Sequence, residues 1–432
     1  MLKNSTISDY FTEHCTQSIE NAVSAERHPL WVRNCPELTD IDFVRLGFLR
    51  CMSLVDSGLH FLQNTMDIHN EQIPTSTYFN SLKSSRRANM LQAIEQQSYQ
   101  LHCDMLQTHG VNYLKPFSEL DEYIVEAADG HFIEHACHTK KGENGKVYAA
   151  GFIYALNLRN GLLSSVCVVT NGTQRNQEIP VLRDQIEINN KNKKEQKRLY
   201  VYDKAVTDYG WWDNQKKHNN YMISMRKENS TATLVEAISF DENDEMNTGI
   251  EAYDTYENDN GIRFSLVTYR DPENKQLHQF ITTLPTSIRP GTIAILYYKR
   301  WTIEKAFNNS KSDFKETKAW SPDIHSLNNQ MRFTVMSYNL IRVFDEISKQ
   351  DDPELMHCAE KKYTKDLEKR QVIAKRKGCF VNPLLFLPRI ARVSSHVIRA
   401  AQNAIITGKQ LISFMKELDT QFVPRIVSIE EY

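Results

Sequence analysis

The chain has 432 residues, with 52 Lys and Arg against 54 Asp and Glu, 41% hydrophobic residues, 15 Gly and 13 Pro. That is enough to bury a real core in one large domain or two to three smaller ones, and it excludes disordered, collagen-like and fibrous classes. No apolar run approaches the ~18 residues of a membrane span, and the opening MLKNSTISDYFTEHCTQ lacks a secretory pattern, so a cytoplasmic protein with no membrane partner is expected.

Eight cysteines are scattered without any C-x2-C pair, which reads as reduced thiols. The net charge of −2 hides two opposed segments. Lys361 to Arg399 carries eleven basic residues against Asp366 and Glu368, whereas Asp241 to Asp259 carries eight carboxylates and no Lys or Arg and reads as an acidic, loop-like stretch.

Residues 1–120 read as helical: TDIDFVRLGFLRCMSLVDSGLHFLQ repeats apolar residues at three- and four-residue spacing behind a Thr or Asp start signal. Within them, IPTSTYFNSLKSSRRANML predicts a short helix bearing Lys83, Arg86 and Arg87, readable as a DNA-contacting helix or as an exposed basic helix end. From Tyr123 the pattern alternates, and YIVEAADG, HFIEHACH, KVYAAGFIYALNL and LLSSVCVV read as successive strands of an antiparallel meander, with a turn at Asn160-Gly161. A helix around EIPVLRDQIEI follows, then a strand RLYVYD ending on Asp203, a helical stretch through Trp211 and Trp212, and a strand YMISMRK. Three antiparallel strands, a helix and a further strand with an acidic end form the opening order of a ribonuclease-H-like α/β fold.

The chain is accordingly divided into a helical DNA-binding domain (1–120), the first part of the core (121–227), a β-rich insertion (228–290), core helices (291–345) and a basic helical carboxyl-terminal region (346–432). A long helix is expected from Ile293 past Phe314. On a helical wheel Tyr297, Arg300, Glu304 and Lys311 share an arc of about 60°, beside an apolar face of Ile303, Phe307 and Phe314. One carboxylate flanked by a phenol and two cations suits a metal-bound phosphodiester; the plain alternative is an amphipathic helix with solvated ion pairs.

The order Tyr297, two residues, Arg300, three residues, Glu304, six residues, Lys311 resembles the Y-(2)-R-(3)-E-(6)-K signature of the branch of bacterial DDE transposases named for insertion sequence number four. Asp129, before Gly130 in EAADGHF, resembles the family's first catalytic aspartate, and Asp203, 74 residues on, the second; Glu304 follows after 101 more, with room for the insertion that this branch places there. Taken singly, Asp129 reads as a turn residue and Asp203 as a helix cap. The resemblance spans residues 120–345 and implies a ribonuclease-H-like core, catalytic and metal-binding roles for Asp129, Asp203 and Glu304, and two Mg²⁺ ions for which Mn²⁺ can substitute.

It further implies phosphate contacts by Tyr297, Arg300 and Lys311. The expected activity is cut-and-paste transposition: hydrolysis at transposon ends, usually through a hairpin in this branch, and attack of the freed 3′-hydroxyl on target DNA. The expected partners are double-stranded DNA, as inverted-repeat ends and target, and a second copy in a homodimeric synaptic complex, in a bacterial cytoplasm. A nuclease without strand transfer and an inactive transposase-derived DNA-binding protein are the alternatives. His131, His135, Cys137 and His138 read as hydrogen-bonding or packed strand residues in preference to zinc ligands, Trp211 and Trp212 as packing residues, and Trp301 as a residue that could sit near DNA.

Overall fold

The computed structural model describes residues 7–26, 35, 37–53, 55, 57–69, 72–142, 145–169, 179–180, 182–184, 186–188, 196–228, 230–300, 303, 314, 316–351, 353–383, 399–400, 402–404, 407, 409–410 and 413. At its centre lies one mixed sheet of nine strands: β1 (Tyr123–Ile133), β2 (Ala150–Asn157), β3 (Leu163–Val169), β4 (Lys197–Val201), β5 (Asn220–Met225), β6 (Thr233–Ala237), β7 (Ile250–Glu257), β8 (Arg263–Arg270) and β9 (Leu277–Thr282). Their spatial order is β3-β2-β1-β4-β5-β9-β8-β7-β6.

In the first half, β1, β2 and β3 pair antiparallel, while β4 and β5 run parallel to β1. The Asn160-Gly161 turn joins β2 to β3, with Gly161 at φ 76, a conformation that glycine adopts without strain. In the second half β9, β8, β7 and β6 form an antiparallel meander that continues the same sheet from β5. The expected β-rich segment is therefore present, as four strands added to the sheet's edge. The acidic stretch Asp241–Asp259 is not simply a loop, because residues 250–257 are β7, whose alternation buries Tyr253 against the core.

Strand β1 departs from the sequence reading. YIVEAADG and HFI are not two strands of a meander but one eleven-residue strand, paired with β2 continuously from Glu126 to Ile133. Gly130 opposes Ile153 within that ladder, so Asp129-Gly130 is strand interior and not a turn. Beyond it, a single parallel bridge joins Glu134 to Lys318, and His135 to His138 lie outside the strand.

Helices cover both faces. On one, the helix Pro290–Lys299 lies against β5, β7, β8 and β9, and its Ile293, Leu296 and Tyr297 share one core with Val125, Ala127, Leu199, Val201 and Ile223. Proline at its first position suits a helix start, and Gly291 sits so close to the Met246 carbonyl that a Cβ there would lie 1.7 Å from the oxygen. Thr292 and Arg289 both donate to the Glu119 carboxylate, at 2.6 and 2.7 Å, which ties the helix start to the approach to β1. The described helix ends at Lys299 with Arg300 as its cap; Ile303 is helical, but Phe314 lies in a bend, so the expected single helix past Phe314 is not formed. On the opposite face Trp212, fully buried, packs with Tyr200, Tyr202 and Met222, as expected for the tryptophan pair; its helix Tyr209–Lys216 is capped by Asp208, whose side chain accepts from the Trp211 amide.

The amino-terminal region is helical, as its periodicity predicts: α1 (Ile7–Glu26), α2 (Asp40–Met52), α3 (Gly58–His69), α4 (Thr75–Leu82) and α5 (Ser85–Thr108). The long helix Ile324–Asp351 joins the two regions, contributing Leu327, Met331 and Val335 to the sheet's core and Phe333, Met336 and Leu340 to the core of the amino-terminal helices. The helix Pro353–Arg376 carries the basic residues from Lys361 to Arg376. Among the described residues no helix is long and apolar enough to cross a membrane.

Candidate active site

Two of the three carboxylates singled out in the sequence stand on neighbouring strands, each two residues past the end of one ladder. The parallel β1–β4 ladder closes with Ala127 opposite Val201, and two residues further along each chain stand Asp129 and Asp203. Asp203 lies just past β4 but keeps an extended backbone (φ −67, ψ 157), so the alternation of side chains carries through it. Val125 and Ala127 on β1, and Leu199 and Val201 on β4, all belong to the core under the helix Pro290–Lys299. Asp129 and Asp203 therefore share that face, on strands spaced about 4.8 Å apart.

Each aspartate is held locally. The Asp129 Oδ1 accepts from the Gly130 amide at 2.8 Å, and the Asp203 Oδ1 accepts from the Lys204 amide at 2.7 Å, where Asp203 also caps the short 3-10 turn Lys204–Val206. Asp129 is half-buried and Asp203 exposed.

Arg300, at the end of the helix Pro290–Lys299, brings its Nη1 to 3.8 Å from the Asp129 Oδ2 while only 6% exposed. Its guanidinium lies 5.5 Å from the centroid of the Tyr297 ring, which is itself buried and packs on Phe280 with centroids 4.9 Å apart. Tyr297 and Arg300 thus lie on one side of that helix as the spacing predicts, but both are buried in place of lining an open polar stripe. Glu304, Lys311 and Trp301 lie outside the described residues.

Sequence reasoning missed the carboxylate that lies under this site. Glu316, 2% exposed, accepts from the Tyr154 hydroxyl at 2.9 and 3.0 Å and from the Thr334 hydroxyl at 2.8 Å, with the His131 Nε2 at 3.5 Å from its carboxylate and 3.2 Å from its carbonyl oxygen. Burial, then the Glu316 charge beside it, pushes the Tyr154 phenol well above its usual range. Nothing periodic marks Glu316 within FKETKAW; its one signal is a carboxylate entering a buried segment. His131 is a packed, hydrogen-bonded strand residue as expected, whereas His135, Cys137 and His138 are exposed.

Two carboxylates on one face of neighbouring strands are hard oxygen donors of the kind a divalent cation takes, and Arg300 already supplies one positive charge beside Asp129. Among the described residues no group of three or more His, Cys, Asp or Glu could hold a metal, and the expected third carboxylate, Glu304, is not among those residues.

The transposase DDE domain family model matches residues 122–340, just over half of the chain. The chain belongs to that family, whose members typically use divalent metal ions. A solved structure of a piggyBac transposase synaptic complex with hairpin DNA is similar at 11% identity and a TM-score of 0.35, covering 91% of this chain and 82% of that one. No curated protein sequence matches the chain.

Proposed function

We propose that the chain is a DNA transposase of the cut-and-paste kind, in the branch named for insertion sequence number four, with Asp129, Asp203 and Glu304 as its catalytic and metal-binding carboxylates. The observation that carries this reading is the placement of Asp129 and Asp203 on one face of two adjacent parallel strands, beside the helix that delivers Arg300. The order β3-β2-β1-β4-β5, with β4 and β5 parallel to β1, supports a ribonuclease-H-like core. Glu304 follows Arg300 by four residues in the sequence.

The three carboxylates would hold two Mg²⁺ ions, or Mn²⁺ in their place, and such ions supply activation of the attacking oxygen and charge neutralisation at the leaving one. Water adds to the phosphorus at the transposon end and the bond to the 3′ oxygen breaks; that oxygen keeps the electron pair and gains a proton, leaving a 5′-phosphate on the flank. The 3′-hydroxyl then attacks a target phosphodiester, forming one P–O bond for the one broken, so no covalent protein intermediate is needed. Arg300, with a planar fork of donors, and with it Tyr297 and Lys311, position the scissile phosphate. The expected partners are inverted-repeat ends, target DNA and a second copy bridging two ends.

The test is a labelled duplex carrying the element's terminal repeat, incubated with the purified chain with and without Mg²⁺. Cleavage should require the ion and fall by more than about 100-fold in Asp129→Asn and in Asp203→Asn, with end binding retained. Metal-independent cleavage, or unchanged rates in either variant, would overturn the assignment.

A further inference from the structure

The stretch from Arg300 to Glu316 starts and finishes on the same strand. At its start Arg300 reaches Asp129 of β1. At its end the Glu134 amide donates to the Thr317 carbonyl at 2.8 Å and the Ala319 amide donates to the Glu134 carbonyl at 2.8 Å, so residues 317–319 dock as a short parallel extension of β1. Between these two anchors lie Glu304 and Lys311.

Glu316 makes the second anchor specific. Tyr154, which donates to it, is the cross-strand partner of Asp129 in the β1–β2 ladder, and directly opposed residues of an antiparallel pair share a face. His131, two residues beyond Asp129 on that same face, contacts both the carboxylate and the carbonyl of Glu316. Thr334 adds a third donor from the long helix Ile324–Asp351. The side chains beside and ahead of Asp129 thus converge on one buried carboxylate.

Burying a carboxylate costs several kcal/mol unless its lone pairs are matched, so an apolar side chain would fasten this segment at lower cost. What the carboxylate adds is direction, since its acceptors fix Tyr154 and His131 in single orientations. We propose that Glu316 is a positioning residue for the metal-binding carboxylates: it sets the Asp129 strand and residues 317–319 in one register. This inference rests on the transposase reading given above.

Outer groups that orient ligands typically change metal affinity 10- to 100-fold, and that magnitude sets the test. Mn²⁺ binding to the full chain is measured by electron paramagnetic resonance of the free ion, at a temperature where circular dichroism shows each variant folded. The unaltered chain should bind Mn²⁺, and Asp129→Asn and Asp203→Asn should lose it; absence of binding in the unaltered chain would bring down the transposase reading and the positioning role with it. Given that binding, Glu316→Ala should weaken it by about 10-fold or more, and Glu316→Gln, whose amide oxygen still accepts from Tyr154 and Thr334, should recover most of the loss. If Glu316→Ala does not fold, Tyr154→Phe replaces it, removing one hydroxyl and leaving the aromatic packing. A folded Glu316→Ala or Tyr154→Phe chain that binds Mn²⁺ as tightly as the unaltered one would overturn the proposal, since a carboxylate that only fastens the fold would lower thermal stability and leave ion affinity alone.

Discussion

The amino-terminal helices and the carboxyl-terminal helix Pro353–Arg376 both carry clusters of basic residues, and their surroundings differ sharply. Arg87 is 4% exposed and donates to the Leu38 carbonyl at 2.6 Å and to the Asp40 carboxylate at 3.0 Å; its neighbour Arg86 also pairs with Asp40. Arg50, equally buried, donates to the Tyr78 hydroxyl at 3.0 Å and lies 4.2 Å from the Trp320 ring centroid. In the helix Pro353–Arg376, by contrast, Lys361, Lys365, Lys369, Lys375 and Arg376 are exposed. Of the three residues read as a basic helix end, Lys83 is exposed, whereas Arg86 and Arg87 fasten α5 to the start of α2. Guanidinium groups inside the fold are engaged by carboxylate, carbonyl and aromatic partners, and lysines left in water are the groups able to neutralise phosphates.

The contrast is sharpest at Arg87. Replacing it with Ala leaves the Leu38 carbonyl without this donor and the partly buried Asp40 with Arg86 alone. The expected loss is about 2–3 kcal/mol of stability, seen as an earlier urea transition by tryptophan fluorescence, because Trp320 belongs to this same core. The salt dependence of DNA binding should stay unchanged. A variant as stable as the parent but with a shallower salt slope would place Arg87 on DNA and reverse the comparison.

The same inward turn of ionisable groups appears in the His14–His102 pair, whose rings lie 5.4 Å apart between α1 and α5. Burial, and then the neighbouring His14, lowers the His102 pKa to about 3, and burial lowers that of His14. Because the unfolded chain takes up protons near pH 6.5 and the native chain does not, stability is full above that pH and falls as the pH drops toward 3. Between pH 7 and pH 5 His102 alone should remove roughly 2 kcal/mol, and His102→Phe should flatten that decline in melts recorded across the range. An unchanged pH profile in the variant would show that the pair is not the source.

Much of the architecture is legible in the residues, because alternation and three- to four-residue spacing record which faces are buried; the helical start, the core strands and the β-rich addition follow from it. Asp129-Gly130 misleads because that pair punctuates most sequences, whereas here β1 has a partner for Gly130 in Ile153 and runs on. The β1–β4 ladder stops at Ala127, two residues short of Asp129, while the β1–β2 ladder runs on through Asp129 to Ile133. The helix expected past Phe314 fails for the opposite reason: apolar spacing continues, but Glu316 is drawn into bonds with β2, β1 and the long helix, and such long-range bonds leave no local period. The cross-sheet partners of Glu316 are thus invisible in the sequence, whereas the alternation of β1 and β4 is written in it.

The smallest expected effect lies in the exposed half of the comparison. On a helical wheel Lys361, Lys365, Lys369 and Arg376 fall within about an 80° arc, so one face of Pro353–Arg376 presents a row of cations to solvent. Arg370 points elsewhere, donating to the Glu273 carboxylate at 2.9 and 3.1 Å and so joining this helix to the turn between β8 and β9. If the row tracks a DNA backbone, Lys365→Gln with Lys369→Gln should lower the slope of log affinity against log salt by about two, close to one per phosphate contact, for specific and unrelated duplexes alike. Stability should move by less than about 0.5 kcal/mol, as for surface substitutions in general. Arg370→Gln should do neither to a comparable degree, because an exposed ion pair contributes less than about 1 kcal/mol and its charge is already engaged. The discriminating result is the salt slope: equal slopes for the double variant and the parent would mean that these lysines form an ordinary solvated helix face, and exposure would then no longer separate DNA-facing cations from the rest.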